Sequence, residues 1–195
     1  MDMSAATSKL RVWDLPTRLF HWLLAVCVAA AWWSGENGKF DLHFILGYVI
    51  LGLLAFRLLW GFVGSPTARF AQFVRGPAAV IGYIRHRLGK PGGIEPPPGH
   101  NPLGGWMVVV LLLVLAVQAG TGLFTSDDIA VDGPLVSSVS SRTASLLSTI
   151  HRLEAKAILA LVLLHVAAVL VYLLVFRENL IRPMVTGWKS ASRKG

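Results

Sequence analysis

Apolar residues gather in four long runs separated by shorter polar stretches: residues 18–36, 42–63, 103–124 and 147–176. Each run is long enough to cross a hydrocarbon core of ~30 Å as a helix. The fourth can also tilt and project beyond the bilayer. The pattern predicts an all-α fold, an integral membrane four-helix bundle, with residues 1–195 forming one domain. No sequence repeat and no separate soluble domain is visible. Basic residues precede the first run and Ala29-Ala30-Ala31 stands late in it, as in a secretory signal peptide. Three further spans follow and this run carries a histidine, so it reads as a first span instead.

The long connection before the third run has a pattern of its own. Pro77 suits the start of a helix. Val80, Ile81, Ile84 and Leu88 then alternate with Arg85, Arg87 and Lys90, which predicts an amphipathic helix over 78–90 on the inner membrane surface. A plain basic connector is the other reading. Gly92-Gly93 and Pro96-Pro97-Pro98-Gly99 break any helix before the third span.

Composition agrees with a membrane protein. The chain is 54% hydrophobic and 14% charged, with a mean hydropathy of +0.62, too apolar for an ordinary soluble domain. A net charge of +8 suits nucleic acid or anionic lipid, and the four spans favour membrane lipid, with no nucleic acid partner. A single cysteine, Cys27, excludes an intramolecular disulfide. There is no CxxCH, so any haem would be held noncovalently.

Charge also predicts orientation. Thirteen basic residues lie before the first span, between the second and third, and after the fourth, against Lys39 and Arg142 in the other two loops. Those two loops carry Glu36, Asp41, Asp127, Asp128 and Asp132. By the positive-inside rule both termini are cytoplasmic.

Four histidines lie in the apolar runs: His21, His43, His151 and His165. His151 and His165 are fourteen residues apart, close to four whole turns, so they share a helix face about 21 Å apart along the axis. Matching depth pairs His21 with His165 on the inner side and His43 with His151 on the outer side. Ionisable groups inside a membrane are costly and usually functional. A lone histidine there is more often a helix–helix hydrogen bond, but two depth-matched pairs suggest two stacked haems. Zinc usually takes three or four N or S ligands together, whereas protein ligation to haem is axial and suits pairs. Six-coordinate iron favours electron transfer over oxygen binding. The third span has no histidine and completes the bundle as a wall.

Other residues carry two readings each. Arg57 lies fourteen residues after His43, so it shares that face at inner depth. It pairs with a haem propionate or snorkels to the headgroups. Arg152 and Lys156 do the same for the outer haem, or meet Glu154 or lipid. Gly47, Gly52, Gly120 and Gly122 admit a porphyrin face or, more simply, a close helix. Gln118 is a polar contact between helices or a quinone contact. His86 and His100 read as solvated loop residues, Cys27 as core, and Trp13, Trp60, Trp106 and Trp188 as an interfacial belt.

Longer motifs resemble a known family. Trp13-Asp14-Leu15-Pro16-Thr17-Arg18-Leu19-Phe20-His21-Trp22 resembles the first-span signature of the bacterial cytochrome b561 and nickel-iron hydrogenase b-type cytochromes. Asp41-Leu42-His43 with Gly47, and Arg57-Leu58-Leu59-Trp60-Gly61-Phe62, resemble the ends of its second span. Gly99-His100-Asn101-Pro102-Leu103-Gly104 and Thr121-Gly122-Leu123-Phe124 resemble the borders of its third, and His151 with His165 its fourth-span histidines. The resemblance covers nearly the whole chain and implies two haem b groups and exchange with the quinone pool and a partner redox protein. The expected role is therefore a diheme cytochrome carrying electrons across the bacterial inner membrane between quinone or quinol and a periplasmic c-type cytochrome. The alternatives within the family are an anchor subunit of a hydrogenase or other oxidoreductase, and a quinone-linked superoxide oxidase. From another class, a histidine-relay transporter or channel lacks spaced acidic partners, since only Glu154 lies well inside a span.

Overall fold

The computed structural model describes residues 9–95, 99–126 and 131–190. Pro96, Pro97, Pro98, Asp127, Asp128, Arg193 and Lys194, used in the readings above, lie outside the described residues. In chain order the elements are β1 (Lys9–Arg11), α1 (Leu15–Glu36), α2 (Phe40–Val63), α3 (Phe70–Phe73), α4 (Pro77–Arg87), α5 (Pro102–Gly122), α6 (Ser141–Leu174), α7 (Ile181–Thr186) and β2 (Trp188–Ser190).

Capping explains where the long helices start. The Asp14 carboxylate accepts from the Thr17 amide at 2.7 Å and Pro16 stands in the first turn of α1. Asn101 accepts from the Gly104 amide at 2.8 Å, directly before Pro102. Ser140 accepts from the Thr143 amide at 3.2 Å. Each cap satisfies an amide that the first turn leaves unpaired, and each lies in polar sequence ahead of the apolar run. Hydropathy alone therefore starts these helices late, most of all α6, which begins at Ser141.

Four helices, α1, α2, α5 and α6, are long and apolar enough to cross a membrane. α1 packs on α2 and α5 on α6 as hairpins, and α2 packs on α5 between them. The backbone of α6 does not pack closely on α1 or α2. Cys27, Ile50, Leu54, Leu115 and Ile158 form the shared core. Within the most apolar windows only 6–17% of residues are buried, so most of the apolar surface faces outward, as lipid requires.

The end of the bundle where the first and last described residues lie (the terminal end) is closed by polar contacts. β1 pairs antiparallel with β2, with Leu10 opposite Lys189. These three-residue strands are an addition to the all-helical expectation, too short to leave a pattern of alternation. α4, in the segment read as either an amphipathic helix or a connector, is tied to the end of α6. The Tyr83 hydroxyl bonds to that of Tyr172, and Arg87 reaches Tyr83 at 2.8 Å and Glu178 at 2.5 Å. Lys189 closes on the same carboxylate at 2.7 Å.

Candidate functional site

The four span histidines meet in two pairs. At the terminal end the rings of His21 on α1 and His165 on α6 have centres 6.4 Å apart, inclined at 52°. At the opposite end, beside the two hairpin connections, His43 on α2 and His151 on α6 have centres 6.1 Å apart, at 82°. Two imidazoles bound on opposite sides of one metal atom, each at about 2 Å, have ring centres about 6 Å apart. The ring-centre spacing of both pairs matches that distance. The separation of α6 from α1 and α2 also suits a flat group between the rings better than direct helix packing does.

The hairpin-end pair is held by its backbone surroundings. His43 donates from Nδ1 to the Ala31 carbonyl at 2.8 Å, and His151 from Nδ1 to the Gln118 carbonyl at 2.9 Å. A carbonyl only accepts, so each Nδ1 carries the proton and each Nε2 keeps the lone pair that metal ligation needs. The Gln118 side-chain nitrogen lies 3.2 Å from His151 Nε2, in keeping with that tautomer. Glycines bring the rings this close to neighbouring helices. A Cβ on Gly35 would sit 3.2 Å from His43 Nδ1, and one on Gly122 would sit 3.0 Å from His151 Cε1. A cavity between the pair is lined by His43, Gly47, Tyr48, Gly122, Pro134 and His151.

The terminal-end pair sits among polar atoms that lack partners. His21 Nδ1, Arg57 Nη1, Thr17 Oγ1 and His100 Nδ1 are all buried with no hydrogen bond among the described residues. Arg57 is 2% exposed. It donates from Nη2 to the Ala68 carbonyl at 3.0 Å and lies over Phe70 and Phe73. It does not snorkel: Gly61 in the next turn of α2 lets Phe70 pack against that turn and cover the guanidinium.

Several expectations need correction. His100 is not a solvated loop residue. Its ring packs between Trp13, at 4.5 Å, and Phe73, at 4.6 Å. Burial first, and then the charges of Arg57, His21 and His165, push its pKa down to about 3. His86 stands in α4 and is exposed. Trp13 is buried by the same packing and belongs to no belt. Gln118 contacts His151, and the third long helix, α5, thereby anchors a histidine as well as walling the bundle. Gly47, Gly52 and Gly120 have no atom within 4 Å of an added Cβ, so none is needed for close helix packing. Arg152 and Lys156 are exposed, and among the described residues Arg152 donates to Thr149 at 3.4 Å. Cys27 lies in the core, as read.

Ala31, Ser34 and Gly35 were not singled out from sequence. α1 and α2 are joined by three residues, Asn37 to Lys39, so Ser34 and His43 stand at matching distances from the turn and face each other. That symmetry is the signal that identifies them.

No curated protein and no solved structure matches the chain. A family model described as prokaryotic cytochrome b561 matches residues 12–187, from just before the cap of α1 to the end of α7. The chain belongs to the prokaryotic cytochrome b561 family and is a multi-pass membrane protein that binds haem b and transfers electrons.

Proposed function

We propose that this chain holds two haem b groups, one between His21 and His165 and one between His43 and His151, and carries electrons across the bacterial inner membrane. The observation that carries the reading is the spacing of the two imidazole pairs, 6.4 Å and 6.1 Å, each matched to a single metal atom. In this reading the electrons pass between the quinone pool and a periplasmic redox partner such as a c-type cytochrome. The charge pattern supports the orientation: the terminal end, rich in Lys and Arg, faces the cytoplasm with both termini. At the periplasmic side Glu36, Asp41 and Asp132 are exposed and form an acidic docking surface.

When bound, each haem supplies a reversible one-electron iron couple. The protein does the rest. Two imidazoles per site would hold each haem, and iron held by two histidines would supply electron transfer rather than oxygen binding. The Ala31 and Gln118 carbonyls orient the outer rings and fix their tautomer. Arg57, buried and without a carboxylate within ion-pair distance among the described residues, offers positive charge beside the inner site. The apolar faces of the four long helices keep water away from both sites.

Proteoliposomes test the transmembrane reading. Protein loaded with quinol on the membrane side and an impermeant ferric acceptor outside should reduce the acceptor, and His151→Ala should stop it. Equal rates with and without protein would contradict the proposal. Transport activity in haem-free protein would favour the histidine-relay alternative.

A further inference from the structure

We propose that Arg57 and His100 together clamp a carboxylate of the haem held by His21 and His165, through Arg57 Nη1 and His100 Nδ1. The proposal rests on the diheme reading and adds to it a residue from the loop before α5. Both nitrogens are buried and neither has a hydrogen-bond partner among the described residues. Both pack against one ring: Phe73 is 4.6 Å from the His100 ring centre and 5.8 Å from the Arg57 guanidinium carbon. His100 also feels the charges of Arg57, His21 and His165, so all four lie in one neighbourhood.

Among the described residues no ion pair forms between a carboxylate and this cation. Asp14 is the acidic residue whose charge reaches Arg57. Its two oxygens accept from the Thr17 amide at 2.7 Å and the Trp60 indole at 3.0 Å, and it forms no ion pair with Arg57. A buried guanidinium without a counter-ion is strongly unfavourable. A carboxylate brought by the ligand would satisfy it, since carboxylates suit the fixed donor geometry of arginine. The His100 imidazole, whose buried Nδ1 has no partner among the described residues, suits the second donor. Trp13 and Phe73 fix the plane of that ring, and the loop holding it is anchored by the Asn101 cap of α5.

The test uses the purified holoprotein. His100→Phe keeps an aromatic ring between Trp13 and Phe73 but removes the donor, and His100→Gln returns a donor. Resonance Raman propionate bending bands report hydrogen bonds to haem carboxylates directly, and a redox titration reports the midpoint of each haem. The expected result is a shifted propionate band and a lower midpoint for one haem in His100→Phe, both moved back toward wild type in His100→Gln. Unmoved bands and midpoints in His100→Phe would overturn the clamp. If that variant does not fold, Arg57→Gln reads the same band: a shift supports the clamp and an unmoved band overturns it. Haem content separates the two claims. A wild-type chain lacking the His21–His165 haem fails the diheme reading and this proposal with it. Full haem content with unmoved bands fails the clamp alone.

Discussion

His151 places its Nδ1 2.9 Å from the backbone carbonyl of Gln118, which leaves Nε2 as the unprotonated nitrogen of that ring. His43 stands in the same relation to the carbonyl of Ala31. In each case the anchor is backbone, not side chain.

Replacing the Gln118 side chain should therefore leave this site intact. Gln118→Leu removes the amide 3.2 Å from His151 Nε2 but keeps the carbonyl. Haem content measured by pyridine haemochrome should equal that of wild type. Loss of a haem would mean that the side chain, not the carbonyl, positions the ring.

Glycines at the rings should tolerate no bulk. Gly122→Val and Gly35→Val push directly on His151 and His43, and the neighbours are ring atoms that would have to stay in place to hold the proposed haem. Disturbed support of a metal-binding histidine weakens binding about 10–100-fold, so each variant should lose most of one haem. Gly52 is exposed and an added Cβ there meets nothing within 4 Å. Gly52→Ala should keep both haems and melt at or above the wild-type temperature, because Ala is favoured over Gly in a helix by up to about 1 kcal/mol.

Much of this arrangement is legible in sequence. Apolar length gives the four long helices, and the fourteen-residue spacing of His151 and His165 with alternating helix direction brings His21 to one and His43 to the other. What escapes has physical causes. His100 is polar and flanked by glycine and proline, so nothing local announces that Trp13 and Phe73, distant in sequence, will enclose it. Gly35 matters only because a histidine on the next helix faces it. The β1–β2 pair and the start of α6 depend on backbone hydrogen bonds and a cap, which hydropathy does not register.

Acid should loosen the terminal end. Burial raises the pKa of Glu178, but hydrogen bonds and charge from Lys189 and Arg87 outweigh it and hold the carboxylate below its ordinary value of 4.5. A lowered folded-state pKa means that the stabilisation is complete above that value and is lost as pH falls through the lower, folded one. Both side chains of the Arg87–Glu178 pair are about a quarter exposed, so the pair is worth about 1 kcal/mol. Glu178→Gln should lower the melting temperature by a few degrees at neutral pH. The gap from wild type should close in acid below 4.5. A gap that persists there would mean that packing, not charge, ties the segment down.

Haem stoichiometry in single-histidine variants tests the central claim most directly. Reduced-minus-oxidised spectra with pyridine haemochrome quantification should give two haem b per wild-type chain. One haem should remain in each of His43→Ala, His151→Ala, His21→Ala and His165→Ala. The first two variants should share one residual spectrum and the last two the other. Loss of both haems from a folded single variant, or one haem or none in wild type, would contradict the two-pair account.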